Sequence, residues 1–490
     1  MKFLVHTYGC QMNVRDSEAV EALMLAAGYE KAADESEADI VIVNSCTVRD
    51  MAERKAVGKC GNLIAAKEGR GRACRPATAE AGRACRPATA EAGRARRPAT
   101  AETGRARRPA TAAIKIVGLM GCAVKRMGAD VFKSLPRLDF AVGPRRFGAI
   151  PRLVARCLAG ETRILELSGD DEVPTGMDAH VGGTSFQSYV TVLLGCDNRC
   201  SYCIVPDVRG HEYSRPAREV VAEVRALAAH GVKEVCLLGQ SVLRYGVRNA
   251  AWSEDDPPSP GGYTEAFPRL LEALNAVDGL ERIRFTSAHP KGCTDELVRA
   301  YREFPKVCRH LHLPVQSGSD RVLKEMGRRY TRAEYLAAVA KLRAFDPEFA
   351  ITTDVIVGYP GETEEDFEAT RSLMDEAGFD NAFIFKYSPR PGTRSAALTD
   401  DVPTSEKERR DQVLLDDQER RGQVRNERLV GTVREVLAEG PSLRNSARWS
   451  GRDGGNRIVV FEPKEGVRTG TIVKVRITAA RPQTLIGEIT

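Results

Sequence analysis

The chain has 490 residues, of which 42% are hydrophobic and 29% charged, and its formal net charge is +6. This balance is typical of a folded protein of several domains and excludes a globally disordered chain. There is no run of about 18 apolar residues, and the N-terminal segment reaches Cys10 and polar residues too early for a signal peptide. We therefore expect no membrane span and a cytoplasmic location.

Positive charge is concentrated in two parts of the chain. Residues 70–112 contain eleven arginines and three glutamates, and residues 427–490 contain eleven lysines or arginines and seven acidic residues. The remaining residues are acidic overall, since the whole chain carries only +6. A basic C-terminal domain suits a polyanionic partner such as RNA.

The first part of the chain alternates between apolar β-rich runs and amphipathic helices. The pattern predicts strands at residues 2–8, 40–43 and 114–119 and helices at residues 17–27 and 51–67. Such alternation indicates a parallel α/β domain, which we place at residues 1–150. An eleven-residue repeat, GRACRPATAEA and its variants, interrupts it at residues 70–113. Each unit contains proline and lacks a large apolar side chain, so we predict a disordered basic insertion.

The alternation of predicted strands and helices resumes in a second predicted domain, at residues 182–415. Its strands are expected at residues 189–194, 234–238, 282–286, 310–315, 352–357 and 382–387. Six strand–helix units predict an open (β/α)6 barrel. A charged helix at residues 405–428 leads to a third domain at residues 425–490. There, short strands at residues 431–437, 457–461, 471–477 and 484–489 predict a small antiparallel β-barrel.

The strongest local signal for chemistry is a group of three cysteines, Cys196, Cys200 and Cys203, spaced Cys-x3-Cys-x2-Cys directly after the first barrel strand. Active sites collect at the carboxyl ends of barrel strands. Three thiolates on one loop can hold three irons of a cubane cluster and leave the fourth iron open. Structural zinc is the alternative, but it normally has four ligands, and the loop offers no fourth Cys or His.

A second group of cysteines is spread along the N-terminal domain. Cys10, Cys46 and Cys122 each follow a predicted parallel strand. Because the carboxyl ends of parallel strands meet at one edge of a sheet, the three thiols are expected to converge there. A buried free cysteine is the alternative for any one of them.

Seven segments resemble the radical S-adenosylmethionine methylthiotransferases: TYGCQMN, NSCTVRD, GLMGCAVKR, GCDNRCSYCIVPDVRG, LLGQ, HLHLPVQSGSDRVLKEMGRRYT and VIVGYPGETEEDF. The resemblance covers nearly the whole chain except the repeat. It implies two 4Fe-4S clusters, one at each cysteine group, and a C-terminal TRAM barrel. It also implies S-adenosylmethionine as cosubstrate, together with an electron donor and a sulfur donor that the sequence does not identify.

Within the family, TYGCQMN and LLGQ resemble the branch that methylthiolates carbon 2 of isopentenyl-adenosine next to the tRNA anticodon. The chain departs from that branch at Asp207 and Ser241, where Tyr and Asn are common. Two other substrates stay open: threonylcarbamoyl-adenosine in tRNA and an aspartate of a ribosomal protein. A non-enzymatic RNA-binding iron–sulfur carrier is the alternative of a different class.

Further residues are candidates for binding roles. Gln240, Gln316, Asp354 and Gly358 lie at or near strand ends of the predicted barrel, where they are expected to contact S-adenosylmethionine. In the C-terminal domain, Arg452, Arg457 and Arg476 are expected to grip the backbone of the tRNA anticodon stem-loop. No general base is assigned, because removal of a hydrogen atom by a radical does not need one.

Overall fold

The computed structural model describes residues 1–48, 50–69, 114–167, 169 and 186–490. The predicted insertion at residues 70–113 and the first residues of the predicted second domain lie outside the described residues. Within these ranges, the helices are all too short or too polar to cross a bilayer.

The N-terminal domain is built on one parallel sheet of six strands. In chain order its strands are β1 (Lys2–Tyr8), β2 (Glu30–Lys31), β3 (Ile40–Ser45), β4 (Ile116–Gly121), β5 (Phe140–Val142) and β6 (Ile164–Glu166), and its helices are α1 (Gln11–Ala26), α2 (Asp50–Lys67), α3 (Cys122–Met127), α4 (Val131–Ser134) and α5 (Ile150–Leu158). The spatial order of the strands is β2-β1-β3-β4-β5-β6. Because β6 pairs with β5, this sheet continues past the predicted boundary at residue 150.

The central strands of this sheet are buried on both faces. Every residue of β3 and β4 is buried, as expected for parallel strands covered by helices on either side. Ile40 and Ile42 pack into one hydrophobic core, and Val41 and Val43 pack into a second core on the opposite face. This double burial fixes the register of the sheet, since a slip of one residue would exchange its two faces.

The second domain is an open barrel of parallel strands. Its main strands are β7 (Gln187–Thr191), β10 (Glu234–Leu238), β11 (Arg282–Phe285), β12 (His310–His312), β13 (Ala350–Val357) and β14 (Asn381–Lys386), and a short antiparallel pair, β8 (Leu193–Leu194) and β9 (Tyr213–Ser214), follows β7. The order is β7-β10-β11 in one half and β12-β13-β14 in the other. The halves meet where Ile283 bridges to Val307. The predicted six-stranded open barrel is confirmed.

Helices surround this barrel and connect it to the last domain. They are α6 (Val205–Arg209), α7 (Ala217–Ala229), α8 (Ala266–Asn275), α9 (Asp295–Glu303), α10 (Asp320–Glu325), α11 (Arg332–Phe345), α12 (Glu364–Ala377) and α13 (Thr404–Glu427). Apolar side chains of β13, such as Val355 and Val357, face the helices and are buried, whereas Asp354 and Ile356 alternate with them and are only partly buried. The inner face of the barrel therefore stays accessible at this strand.

The C-terminal domain is a closed five-stranded barrel. Its strands are β15 (Val433–Ser442), β16 (Asn445–Asp453), β17 (Ile458–Phe461), β18 (Ile472–Arg481) and β19 (Thr484–Ile489), in the order β15-β16-β17-β19-β18. All pairings are antiparallel except that of β17 with β19. The sequence predicts four of these strands and misses β16, which is rich in polar and charged residues.

The C-terminal barrel is docked against the amino ends of the strands of the open barrel. Arg282, the first residue of β11, donates to the carbonyl of Arg452 at 2.7 Å, and Arg284 donates to the carbonyl of Asp453 at 2.7 Å. Arg457 forms an ion pair of 2.6 Å with Asp380, which directly precedes β14. The opposite end of the open barrel, where its strands finish, carries the cysteine loop.

Candidate active site

The first cysteine group lies at the carboxyl edge of the N-terminal sheet. Tyr8, the last residue of β1, pairs with Ser45, which pairs in turn with Gly121 on β4. Cys46 and Cys122 directly follow Ser45 and Gly121, and Cys10 precedes α1. The sheet register therefore brings the three cysteines of the predicted group to one place, although they are far apart in sequence.

Two asparagines hold the loops that carry this group. The side chain of Asn13 donates to Asn44 Oδ1 at 3.0 Å, and Asn44 Nδ2 donates to the carbonyl of Asn13 at 2.8 Å. Both residues are fully buried. Asn13 Oδ1 also accepts from the backbone N–H of Cys10 at 3.3 Å, so one amide orients the start of α1 and the cysteine before it.

The thiols of the first group interact electrostatically. A hydrogen bond between Cys10 and Cys46 lowers the pKa of Cys10 to about 5, and the same bond raises the pKa of Cys46. Burial raises the pKa of Cys122, because a thiolate loses its hydration there. Two buried thiols and one half-buried thiol at one sheet edge are donors that suit a thiolate-bound iron–sulfur cluster.

Arg209 connects this group to the open barrel. It ends α6, the short helix that follows the second cysteine group, and its side chain is only 3% exposed. Its Nε donates to Cys122 Sγ at 3.2 Å, and its guanidinium forms an ion pair of 2.8 Å with Asp16 on α1. A single buried arginine thus contacts both a cysteine and a carboxylate of the N-terminal domain.

The second cysteine group lies on the loop between β8 and α6. The backbone N–H of Cys196 donates to the carbonyl of Gly210 at 3.1 Å, and that of Cys203 donates to the carbonyl of Cys200 at 3.2 Å. Gly195 precedes the loop at φ 80°, and a Cβ there would lie 2.0 Å from the carbonyl oxygen of His211. Only glycine fits this close approach. Burial raises the pKa of Cys196 to about 11 and that of Cys203 to about 12.

A second buried arginine contacts this loop. Arg328 lies in the segment after α10 and is 7% exposed. Its Nη1 donates to Cys200 Sγ at 3.5 Å, its Nη2 donates to the carbonyl of Pro314 at 3.1 Å, and its Nε donates to the hydroxyl of Tyr330 at 3.0 Å. Neither Arg209 nor Arg328 is predicted from the sequence, although each lies in a segment that carries the family resemblance.

The donor sets fit clusters better than single ions. Among the described residues, no three Cys, His, Asp or Glu side chains are grouped as a mononuclear metal site requires. Each thiolate of a cubane cluster binds a different iron, so its ligands need not converge on one point. Soft thiolate donors without carboxylate or imidazole companions are also the set that iron–sulfur clusters select.

The four residues expected to contact S-adenosylmethionine lie where the barrel strands end. Gln240 follows β10 and accepts from the backbone N–H of Gly195 at 2.5 Å, so it is tied to the cysteine loop. Next to it, the hydroxyl of Ser241 is buried with no hydrogen-bond partner among the described residues. Such an orphaned group fits a polar ligand at this strand end.

The other three candidates belong to the second half of the barrel. Gln316 adopts a left-handed backbone, φ 73°, and its main chain bonds on both sides to β13. Asp354 lies 3.4 Å from His312 Nε2 on the inner face of the barrel. Gly358, at φ 70°, donates to Glu362 at 2.6 Å, and a Cβ there would lie 2.3 Å from the Lys407 side chain. Their contact with S-adenosylmethionine stays a prediction.

A cavity of about 480 Å³ opens beside the cysteine loop. Asn198 and Arg199 of the loop form one wall, and residues that follow β10, β11 and β12 form the others. Lys291 and Arg329 on its rim are exposed, and the structure pairs neither side chain with a described acidic group. The cavity lining therefore carries an excess of positive charge beside the second cysteine group, since Glu265 is its one acidic residue.

The three arginines expected to grip RNA have different surroundings. Arg476 is exposed on β18, and its guanidinium donates to the carbonyl of Gly431. The side chain of Arg452 is 36% exposed and pairs with Glu439 at 3.1 Å. Arg457 is 6% exposed and its ion pairs are with Asp380 and Asp453. The expectation that Arg457 contacts RNA is wrong, because its guanidinium is buried and forms ion pairs where the two barrels meet.

Three family models match the chain along its length. The model of the Radical SAM superfamily matches residues 190–374, that of Uncharacterized protein family UPF0004 matches residues 2–74, and that of the TRAM domain matches residues 427–490. The first contains the loop of Cys196, Cys200 and Cys203, and the second contains Cys10 and Cys46.

Curated relatives extend this match to the full length. A protein of Opitutus terrae named tRNA-2-methylthio-N(6)-dimethylallyladenosine synthase is 39% identical over 99% of this chain and 96% of its own length. The chain belongs to this synthase family. A synthase of the same name from Geobacter metallireducens is also 39% identical, over 99% of this chain and 97% of its own length. Membership of the synthase family makes the chain a radical S-adenosylmethionine enzyme.

A solved structure agrees with the fold. The radical S-adenosylmethionine methyltransferase TsrM from Kitasatospora setae superimposes with a TM-score of 0.52 at 14% sequence identity, and the match covers 81% of this chain and 75% of that one. At this level of identity the likeness concerns the fold alone.

Proposed function

We propose that the protein methylthiolates carbon 2 of isopentenyl-adenosine next to the anticodon in tRNA, using two 4Fe-4S clusters and S-adenosylmethionine. The observation that carries this proposal is that Arg209 connects the two cysteine groups. Arg209 contacts Cys122 of one group and is the last residue of the helix that follows Cys203 of the other. A reaction that inserts sulfur at a carbon attacked by a radical needs a radical source and a sulfur source close together, and this arrangement supports both.

Each part of the chain has its own task in this proposal. Cys196, Cys200 and Cys203 would hold one cluster, which would supply the electron for cleavage of S-adenosylmethionine, and the other cysteine group would hold a second cluster, which would supply sulfur. Gln240, Ser241 and Asp354 orient the cosubstrate at the strand ends. The buried walls of the barrel exclude water, which protects the site from side reactions.

The substrate RNA is recognised by charge and by access to an unpaired base. An adenosine in a loop can be splayed out of its stack and inserted into a protein pocket. Lys291 and Arg329 at the rim of the 480 Å³ cavity are free to contact phosphates of the same loop. Arg476 and Arg452 on the TRAM barrel are proposed to contact the stem, whereas Arg457 is excluded from this role by its burial.

The reaction is proposed to take place in the cytoplasm, where tRNA is present and thiols stay reduced. The electron donor and the sulfur donor are proposed to be separate cellular components. The three domains act together in this proposal, with residues 1–166 carrying the sulfur site, the open barrel carrying the radical site and residues 427–490 contacting RNA.

The test is nucleoside mass spectrometry of tRNA from cells that lack the gene. Loss of the methylthio group from isopentenyl-adenosine, restored by the intact gene but not by Cys196→Ala, is the expected result. Complementation with Cys60→Ala is the matched control, because Cys60 is a buried cysteine outside both groups. Unchanged tRNA together with a ribosomal protein that has lost a methylthio group would overturn the tRNA assignment and favour the protein substrate.

A further inference from the structure

In the part of the chain that the structure describes, each cysteine group has one buried arginine that donates to a sulfur, but only one of these arginines pairs with a carboxylate. Arg209 contacts Cys122 and pairs with Asp16 at 2.8 Å. Arg328 contacts Cys200, and its other donors go to the uncharged oxygens of Pro314 and Tyr330. Among the described residues, no carboxylate lies within ion-pair distance of Arg328.

The difference bears on how readily each site accepts an electron. The reduction potential of an iron–sulfur cluster depends on nearby charge, on hydrogen bonds to its sulfurs and on solvent exposure. A positive charge stabilises the reduced form, which carries one more negative charge, and a neighbouring carboxylate cancels that effect. Both arginines are buried, so water screens their charge poorly.

We propose that Arg328 and Asp16 are positioning residues that direct the first electron to the Cys196–Cys203 site. Arg328 raises the potential of that site with a charge that no described carboxylate cancels. Asp16 cancels the charge of Arg209, so the reduction potential of the Cys10–Cys122 site is not raised in the same way. This inference rests on the proposed assignment of one cluster to each cysteine group.

The need to fill space in the core does not explain why Arg328 and Asp16 are charged residues. A leucine or methionine at position 328 would fill a similar volume without burying a guanidinium that pairs with no described carboxylate, and burial of such a charge is costly. Asp16 follows Arg15, which pairs with Glu223. Asp16 itself pairs with Arg209, the arginine of the other domain, at 2.8 Å.

The test uses the full-length protein in two backgrounds, each with one cysteine group replaced by alanine, so that each holds a single 4Fe-4S cluster. The midpoint potential for one-electron reduction is measured at pH 8 by titration with a chemical reductant, followed by electron paramagnetic resonance. With only the Cys196–Cys203 site present, Arg328→Gln is expected to lower the potential, and Arg328→Lys, which keeps the charge, to lower it less. With only the Cys10–Cys122 site present, Asp16→Asn is expected to raise the potential.

Controls separate this inference from other outcomes. Lys324→Gln removes an exposed charge on α10 and is expected to leave the potential unchanged. If Arg328→Gln loses its cluster, Arg328→Lys and Asp16→Asn are compared instead. The inference then requires that the midpoint potential does not fall far in Arg328→Lys and that it rises in Asp16→Asn. Full cluster content with unshifted potentials would overturn the inference. Failure of either single-group background to hold a cluster would instead overturn the proposed function.

Discussion

Asn13 and Asn44 bond to each other twice, side chain to side chain at 3.0 Å and side chain to backbone at 2.8 Å, with both residues wholly buried. One belongs to the segment TYGCQMN and the other to NSCTVRD, so the asparagines tie together two cysteine loops that are distant in sequence. The polar residues of these segments therefore have a structural task that is separate from binding a cluster.

Replacement of Asn44 by alanine is expected to destabilise the protein by about 1–3 kcal/mol, because it leaves buried polar groups of Asn13 without partners. Denaturant unfolding measures this change, and iron content of the reconstituted protein reports whether the first cysteine group still binds its cluster. Asn445→Ala, at an exposed position on β16, is the matched control. Equal free energies of unfolding in the two variants would show that the paired asparagines do not stabilise the fold.

The two cysteine groups are expected to bind clusters independently, since they lie on different domains and share no ligand. Cys196→Ala should leave about four irons per chain, the content of one cubane, and abolish cleavage of S-adenosylmethionine. Cys122→Ala should also leave about four irons but retain cleavage. Iron analysis and detection of 5′-deoxyadenosine measure both results. Complete loss of iron from either variant would contradict two separate sites.

Removal of Arg457 is expected to act on stability rather than on RNA binding. Arg457→Ala removes a buried charged partner of Asp380 and Asp453. Each carboxylate keeps another arginine, Arg425 and Arg434 respectively, so the expected cost is about 1.5–3 kcal/mol, the value for hydrogen bonds to charged groups. Thermal or denaturant unfolding should show the loss. The salt dependence of tRNA affinity, measured well below the unfolding transition, should be the same as in the unchanged protein.

Arg476→Ala is the complementary variant, because Arg476 is exposed. Loss of one phosphate contact reduces the slope of log affinity against log salt by about 1 and leaves the unfolding free energy nearly unchanged. A titration of tRNA binding over a range of salt concentrations measures this slope. An unchanged slope would place the RNA on another face of the TRAM barrel.

The rim of the cavity can be tested by reversal of charge. Lys291→Glu and Arg329→Glu are each expected to weaken tRNA binding, most strongly at low salt, where charges act over longer distances. Lys133→Glu makes the same change of net charge at an exposed position on α4 of the N-terminal domain and serves as the control. If all three variants bound tRNA equally well, the cavity would not contact the RNA backbone.

Much of the fold can be predicted from the sequence, because its parallel strands are apolar runs that helices cover. The strands β3 and β10, for example, contain the apolar runs IVIV and VCLL. Strand β16 is missed because its sequence, NSARWSGRD, lacks the alternation of apolar and polar residues on which such predictions depend. It becomes a strand because its neighbours in the closed barrel supply both sets of hydrogen-bond partners.

The site was predictable only in part, for a related reason. The spacing of Cys196, Cys200 and Cys203 lies within one loop and can be read directly from the sequence, whereas the environment of Arg457 depends on how two domains meet. Arg209 and Arg328 act on cysteines 87 and 128 residues away. Contacts of this range leave no periodic pattern in a single sequence.

The docking of the TRAM barrel has a consequence for how this protein can be divided or recombined. Arg282, Arg284 and Asp380 of the open barrel complete their bonding with groups on residues 435–457. A shortened chain that ends before residue 427 would expose these charged groups at the floor of the open barrel. The C-terminal barrel is therefore not a detachable module. A chimaera that receives this barrel must also receive the residues of the open barrel that bond to it.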